Sequence, residues 1–268
     1  MAAELFTDDS MLRRVIREQV VGLSGPRALL MQATHPVAWA GFFAHTGAMD
    51  EPYERLARTA QVMDLIAFGD KATAQKATKR VRAMHARVRG ELAVPVGRWP
   101  AGTPYAADDP VLLLWILATL VDSAVIVYER YVRRLSGAEK EALWTDYRVV
   151  GREFGLADDE MPADWRAFRA YMSDMIAGDD LHVSDDAREL AIQIVMHPPV
   201  PLKFRPALEL ANQITIGLLP RRLRREYGFR WDPVREVAAR TGAEYTKRVL
   251  VPLLPERVRL VRSARGAA

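Results

Sequence analysis

The 268-residue chain contains no cysteine. Disulfides, Cys-ligated zinc, iron–sulfur clusters and thiolate-ligated metal cofactors are therefore excluded. Lysine is scarce as well: 6 of the 38 basic residues are Lys (71, 76, 79, 140, 203 and 247), and the other 32 are Arg. Histidine occurs five times, at 35, 45, 85, 182 and 197, and no two are spaced as H-x-x-x-H. A zincin-type site is not expected. Acidic residues are interspersed among the basic ones, so there is no broad phosphate-binding stripe and no nucleic-acid partner is expected. The first residues lack a basic n-region followed by an apolar h-region, which argues against a signal peptide and for a cytoplasmic location.

Long apolar runs are almost missing too. Val111–Tyr128 alone reaches the spanning threshold, with Asp122 its single charge. An ionised carboxylate near the middle is costly in lipid, and Asp109-Pro110 supplies a good soluble-helix start. This segment reads as a core helix, with Asp122 paired to a buried Arg, and no transmembrane span is expected. The most basic run, Arg221-Arg222-Leu223-Arg224-Arg225, follows the apolar Ile214–Leu219. It reads as a solvated helix start, with peripheral contact to a membrane surface as the other option.

What is present is helical patterning. Asp8/Asp9 cap a first helix to about Gly22. Ser24 and Pro26 start a second, which Pro36 must kink or break before about Phe43. Pro52 opens a third to about Phe68. A fourth runs from about Lys71 to Arg89 and stops at Gly90. After the long apolar helix, Ser136-Gly-Ala-Glu139 is a capping box for a helix ending at Gly155. Further helices are expected over about 164–177, 184–196, 203–218 and 232–249. No alternating run is long enough to argue for a sheet. The reading is an all-α fold, one helical domain over residues 1–262, with a disordered tail over 263–268.

Two stretches carry chemistry. If the fourth helix runs to Arg89, then Arg82, His85 and Arg89 share a face at i, i+3 and i+7. On the preceding segment Arg55, Arg58 and Thr59 form an i, i+3, i+4 face. One imidazole and several cations on neighbouring helices are what a haem needs: a nitrogen ligand for iron and positive charge for two propionates. Spacing alone also fits a half-buried histidine bonding a backbone carbonyl, and a solvated Arg face paired with Glu51 and Glu54. His35 stands before Pro36, where it could bond a backbone group freed by the helix break or line a distal pocket.

Several blocks in order resemble the MpaB/rubber oxygenase catalytic-domain family, which includes the latex-clearing proteins. They are Leu29-Leu30-Met31-Gln32-Ala33-Thr34-His35-Pro36, Arg55-Leu56-Ala57-Arg58-Thr59, Val81-Arg82-Ala83-Met84-His85-Ala86-Arg87-Val88-Arg89-Gly90, Tyr105-Ala106-Ala107-Asp108-Asp109-Pro110 leading into Leu113–Ser123, and Leu135-Ser136-Gly137-Ala138-Glu139. The resemblance covers about Val15 to Tyr227. It implies a helical fold with a globin-like core around haem b, used with O2 to cleave double bonds of isoprenoid chains. It further implies that His85 is the proximal iron ligand, that Arg89 follows it one turn later, and that Arg55 and Thr59 are pocket residues. Arg58 falls where latex-clearing proteins carry a lysine, and Leu117 where short members often carry a histidine. An arginine cannot readily deprotonate to ligate iron.

The expected function is a haem b-dependent oxygenase acting with O2 on an apolar unsaturated small molecule. In that reading His85 is the metal ligand, Arg82 and Arg89 hold propionates, His35 flanks the cofactor, and Arg55, Arg58 and Thr59 serve catalysis. The alternative is a non-catalytic helical protein that binds a lipid or isoprenoid without haem.

Overall fold

Caps and prolines fix most of the turning points of the chain. The computed structural model describes residues 4–44 and 52–265, with the backbone alone for 42–44 and 52–56. Ser10, whose side chain accepts from the Arg13 N–H, caps α1 (Met11–Ile16) in place of the expected Asp8/Asp9, which pair with Arg13 and Arg14 instead. The first helix is thus much shorter than the expected run to Gly22. Glu18 takes an extended conformation and bridges to Leu260, which pulls the chain out of the helix before a 3-10 turn at Gln19–Leu23. The break at Pro36 is real: α2 (Ser24–Gln32) ends, and α3 (Pro36–Ala44) restarts with proline in its first turn, where the missing N–H costs nothing. Next come α4 (Pro52–Phe68) and α5 (Lys71–His85), the latter capped by Asp70 accepting from the Thr73 N–H.

α5 stops at His85, four residues before the expected end. Ala86, Arg87 and Val88 make the turn, and Arg89–Glu91 forms strand β1, antiparallel to β2 (Pro104–Ala106). Gly90 is therefore a strand residue opposite Tyr105, and an added Cβ would lie 2.5 Å from the Tyr105 hydroxyl. The cause is packing and pairing. Val37, Leu92, Tyr105 and Leu112 form a satellite core with Val88 against it, and the strand ladder takes the backbone groups a longer helix would use: the Ala107 N–H donates to the Val88 carbonyl and the Leu92 N–H to that of Thr103.

Asp109, accepting from the Val111 N–H, and Pro110 start α6 (Pro110–Tyr131), the central helix, packed by α1, α2, α7, α8 and α12. α7 (Gly137–Phe154) opens with the expected Ser136/Glu139 capping box and ends at Gly155 in the left-handed region, φ 106°. The remaining helices are α8 (Trp165–Ala177), α9 (Asp185–Met196), α10 (Arg205–Leu218), α11 (Arg221–Glu226), α12 (Pro233–Tyr245), α13 (Val251–Leu253) and α14 (Glu256–Arg259), with a π-helical turn at Thr246–Leu250 between α12 and α13. A 3-10 turn at Arg262–Arg265 occupies part of the expected tail, and residues 266–268 lie outside the described ones. The architecture is one all-α domain; β1–β2 is the only sheet among the described residues.

The main core gathers Trp115, Trp144, Tyr147, Phe168 and Leu30 around α6. Asp122 sits inside it, paired as expected: Arg27 of α2 donates to Asp122 at 2.9 Å and to Ser123 at 2.7 Å, and Arg169 of α8 donates to Asp122 at 2.7 Å. The basic run reads differently from the expected solvated start. Arg222 donates to the carbonyls of Ile176, Gly178 and Leu181 at the end of α8, and Arg224 is buried over the Trp231 ring.

Candidate functional site

α5 presents Gln75, Thr78, Lys79, Arg82 and Ala86 on one face, at intervals of three and four residues, with His85 at its edge. This face forms one wall of a cleft of about 600 Å³. The opposite wall is the last turn and cap of α7, with Glu153, Phe154 and Gly155; Asp108 and Leu113, at the start of α6, close the end. Such a volume is in the range of cofactor and small-molecule sites, roughly 300–1,000 Å³. His85 is half-buried.

The carboxylates of the cleft are already committed. Glu153 accepts from Gln75 Nε2 at 3.1 Å and from Thr78 Oγ1 at 3.4 Å, which ties α5 to α7. Asp108 pairs with Arg89 at 2.7 Å, and Arg89 also donates to the Ala86 carbonyl at the end of α5. Arg89 thus reaches the rim through β1, not through a helical face shared with His85. Gly155 leaves room for Arg82: an added Cβ would sit 3.2 Å from its Nε.

Of the residues singled out by sequence, the structure brings Arg82 and His85 into this cleft and sets Arg89 at its edge. Arg58 and Thr59 are exposed on α4 and are not among the residues lining it. Arg55 lies in α4, but its side chain is outside the described residues, as is His45. His35 lies elsewhere. It is buried, its Nδ1 accepts the Ala38 N–H at 3.4 Å, and its ring stands 5.5 Å from that of Trp99. Burial pushes its pKa down to about 4. Leu117 is buried in the main core. Among the described residues no three His, Asp or Glu group as a metal site.

A family model describing the ER-bound oxygenase mpaB/B'/rubber oxygenase catalytic domain matches residues 13–248. The chain belongs to this family. No curated protein and no solved structure gives a match. The matched stretch contains every lining residue of the cleft, from Gln75 to Gly155. The sequence reading missed Gln75, Thr78 and Lys79, although they lie on the face of Arg82 one and two turns back. It missed Glu153 and Phe154 for a better reason, since no local pattern links them to residues some seventy positions earlier.

Proposed function

We propose that this family member is a haem b-dependent oxygenase acting with O2 on an apolar unsaturated substrate, with the α5/α7 cleft as its cofactor site. The observation that carries the reading is the opening of His85, the last residue of α5, into a cleft of about 600 Å³ that Lys79 and Arg82 also line. A porphyrin-held iron asks one imidazole of the protein, not a cluster of ligands. The donor set fits the group in kind. His85 offers the nitrogen, Lys79 and Arg82 offer cations for propionates, and Leu113 and Phe154 offer apolar surface. Asp108 and Glu153 would otherwise repel propionates, but Arg89 neutralises the first, and Gln75 and Thr78 hold the second by hydrogen bonds.

Haem, when bound, supplies the iron that activates O2. The chain's own residues do the rest. A neutral His85 imidazole is the ligand form, so its second nitrogen must keep a proton or donate it to a neighbour. The Glu153 bonds hold α5 against α7 and so fix the wall that carries Arg82 and His85. Arg55, Arg58 and Thr59 of α4 are assigned to O2 and substrate on the resemblance alone, since Arg58 and Thr59 are exposed and do not line the cleft. Arg58→Ala and Thr59→Ala are then expected to lower turnover without changing haem content.

The test is the absorption spectrum of protein expressed with a haem precursor, with haem quantified against protein. One haem per chain is expected. His85→Ala is expected to lose most of it while its circular dichroism stays that of the parent, because ligation holds the cofactor and packing holds the fold. Colourless parent protein would overturn the proposal. Full haem retention by the variant would move the ligand to another residue.

A further inference from the structure

We propose that the proline-rich connection between α9 and α10 is a recognition segment for a partner protein whose groove is lined by aromatic side chains and flanked by carboxylates. The connection reads Pro198-Pro199-Val200-Pro201-Leu202-Lys203. Its three prolines hold φ at about −65° at their own positions. Pro198 and Val200 each precede a proline, which keeps them out of the helical region. The outcome is a polyproline II run: Pro201 has φ −54° and ψ 145°, and residues 198–201 belong to no helix or strand. The carbonyls of Pro198, Pro199 and Val200 accept no hydrogen bond among the described residues. Both ends of the run are pinned. Asn212, buried on α10, donates to the Met196 carbonyl at the end of α9 at 3.0 Å, and the Phe204 N–H donates to the Pro201 carbonyl at 2.8 Å. A partner therefore meets the segment already extended, which lowers the ordering cost of binding.

Exposure and charge select the partner. Pro199, Pro201, Leu202, Lys203, Phe204 and Arg205 are all exposed, Leu202 at 74% and Phe204 at 53%. No acidic residue occurs from His197 to Leu208. Among the described residues neither Lys203 nor Arg205 has a carboxylate partner; the Lys203 ammonium rests over the Phe204 ring, 5.1 Å from its centre. Two cations at one end of the run are thus available to carboxylates of a partner. Aromatic rings of a groove pack on the prolines, and its N–H and O–H groups can donate to the open carbonyls. A lipid surface can use the cations and Leu202, but it does not read a fixed row of carbonyls. A second copy of the chain is a poor occupant, because a two-fold contact would set these cations against their own copies. No residue of the segment lines the α5/α7 cleft, so the proposal stands apart from the haem reading and is tested without turnover.

The experiment is calorimetric titration of the full chain into a panel of purified SH3, WW and EVH1 domains, the module classes whose aromatic grooves read polyproline II. Saturable binding to at least one domain is expected, displaced by that domain's own proline-rich peptide and weakened as salt is raised. Pro199→Ala combined with Pro201→Ala alters two exposed positions, so its circular dichroism should match the parent, and its affinity should fall about tenfold or more. Lys203→Glu should also weaken binding and should reduce the salt dependence. Absence of binding across the panel overturns the proposal. So does equal binding by the parent and the double variant. So does co-sedimentation of the parent with phosphatidylserine-containing vesicles that Lys203→Glu abolishes, which would assign the segment to a bilayer. A dimer, seen by light scattering of the parent and lost in the double variant, would overturn it in favour of a second copy.

Discussion

A histidine buried behind a proline is tolerated when a backbone group needs it. Pro36 opens α3, and the Ala38 N–H is one of the orphan donors of that first turn; His35 Nδ1 accepts it. The bond requires a neutral ring, and burial favours the same state, holding the pKa at about 4 against 6.5 when unfolded. Between those values the unfolded chain binds the proton and the folded chain does not. Stability contributed by this group is therefore whole above pH 6.5 and is lost as pH falls toward 4, by about 3 kcal/mol in all. His35→Asn keeps a capping acceptor without titrating, so urea titrations should show a flatter loss of stability over that window. Asp122 poses the converse case, since the pairing was legible and the partner was not. A lone carboxylate in an apolar run must be neutralised, but Arg27 lies 95 positions away and nothing local marks it. Asp122→Ala should cost about 3–5 kcal/mol, because it leaves the Arg27 guanidinium buried without its counter-charge. A chemical-denaturation midpoint measures it.

Helix starts were legible because they rest on local side chains: Ser136, Asp109 and Ser184 cap where their spacing says they should. Helix ends were legible where a glycine or a nearby proline imposes them: α9 stops at Met196 and α10 at Leu218, as expected, ahead of Pro198 and Pro220. Gly155 closes α7 in the left-handed region, as its position predicts, whereas α5 ends at His85 because the backbone beyond it pairs with Pro104–Ala106, a partner that no window of sequence reveals. The consequence for the site is direct, since His85 becomes a terminal residue at the mouth of the cleft. Gly155→Ala should destabilise the fold by about 1–2 kcal/mol through its backbone alone, read from the urea midpoint at constant slope. Its Cβ would also press on Arg82. Gly155→Asn tolerates the same backbone better but crowds Arg82 as much. If Arg82 holds a propionate, both variants should retain haem more weakly than the parent, although their stabilities differ.

At the scale of the whole molecule, the same helix passes two tests that lead to opposite biology. α6 is long and apolar enough to cross a membrane, with a mean hydropathy of 2.3 over its best 18-residue window. Yet 67% of that window is buried within the protein, and its mid-helix carboxylate is tied to Arg27 of α2 and Arg169 of α8. Withdrawing α6 into lipid would strip both arginines of Asp122 and uncover Trp115 and its core partners, a loss far larger than hydropathy alone records. Hydropathy measures the composition of a helix; only the packing of α1, α2, α7, α8 and α12 around it determines which solvent it meets. Any membrane association of this chain should therefore be peripheral. After lysis without detergent, any sedimenting fraction should be released by high salt or alkaline carbonate. Val111→Glu, at an exposed position on α6, should leave the distribution unchanged. A fraction that resists carbonate would place α6 in the bilayer and contradict the buried core described for it.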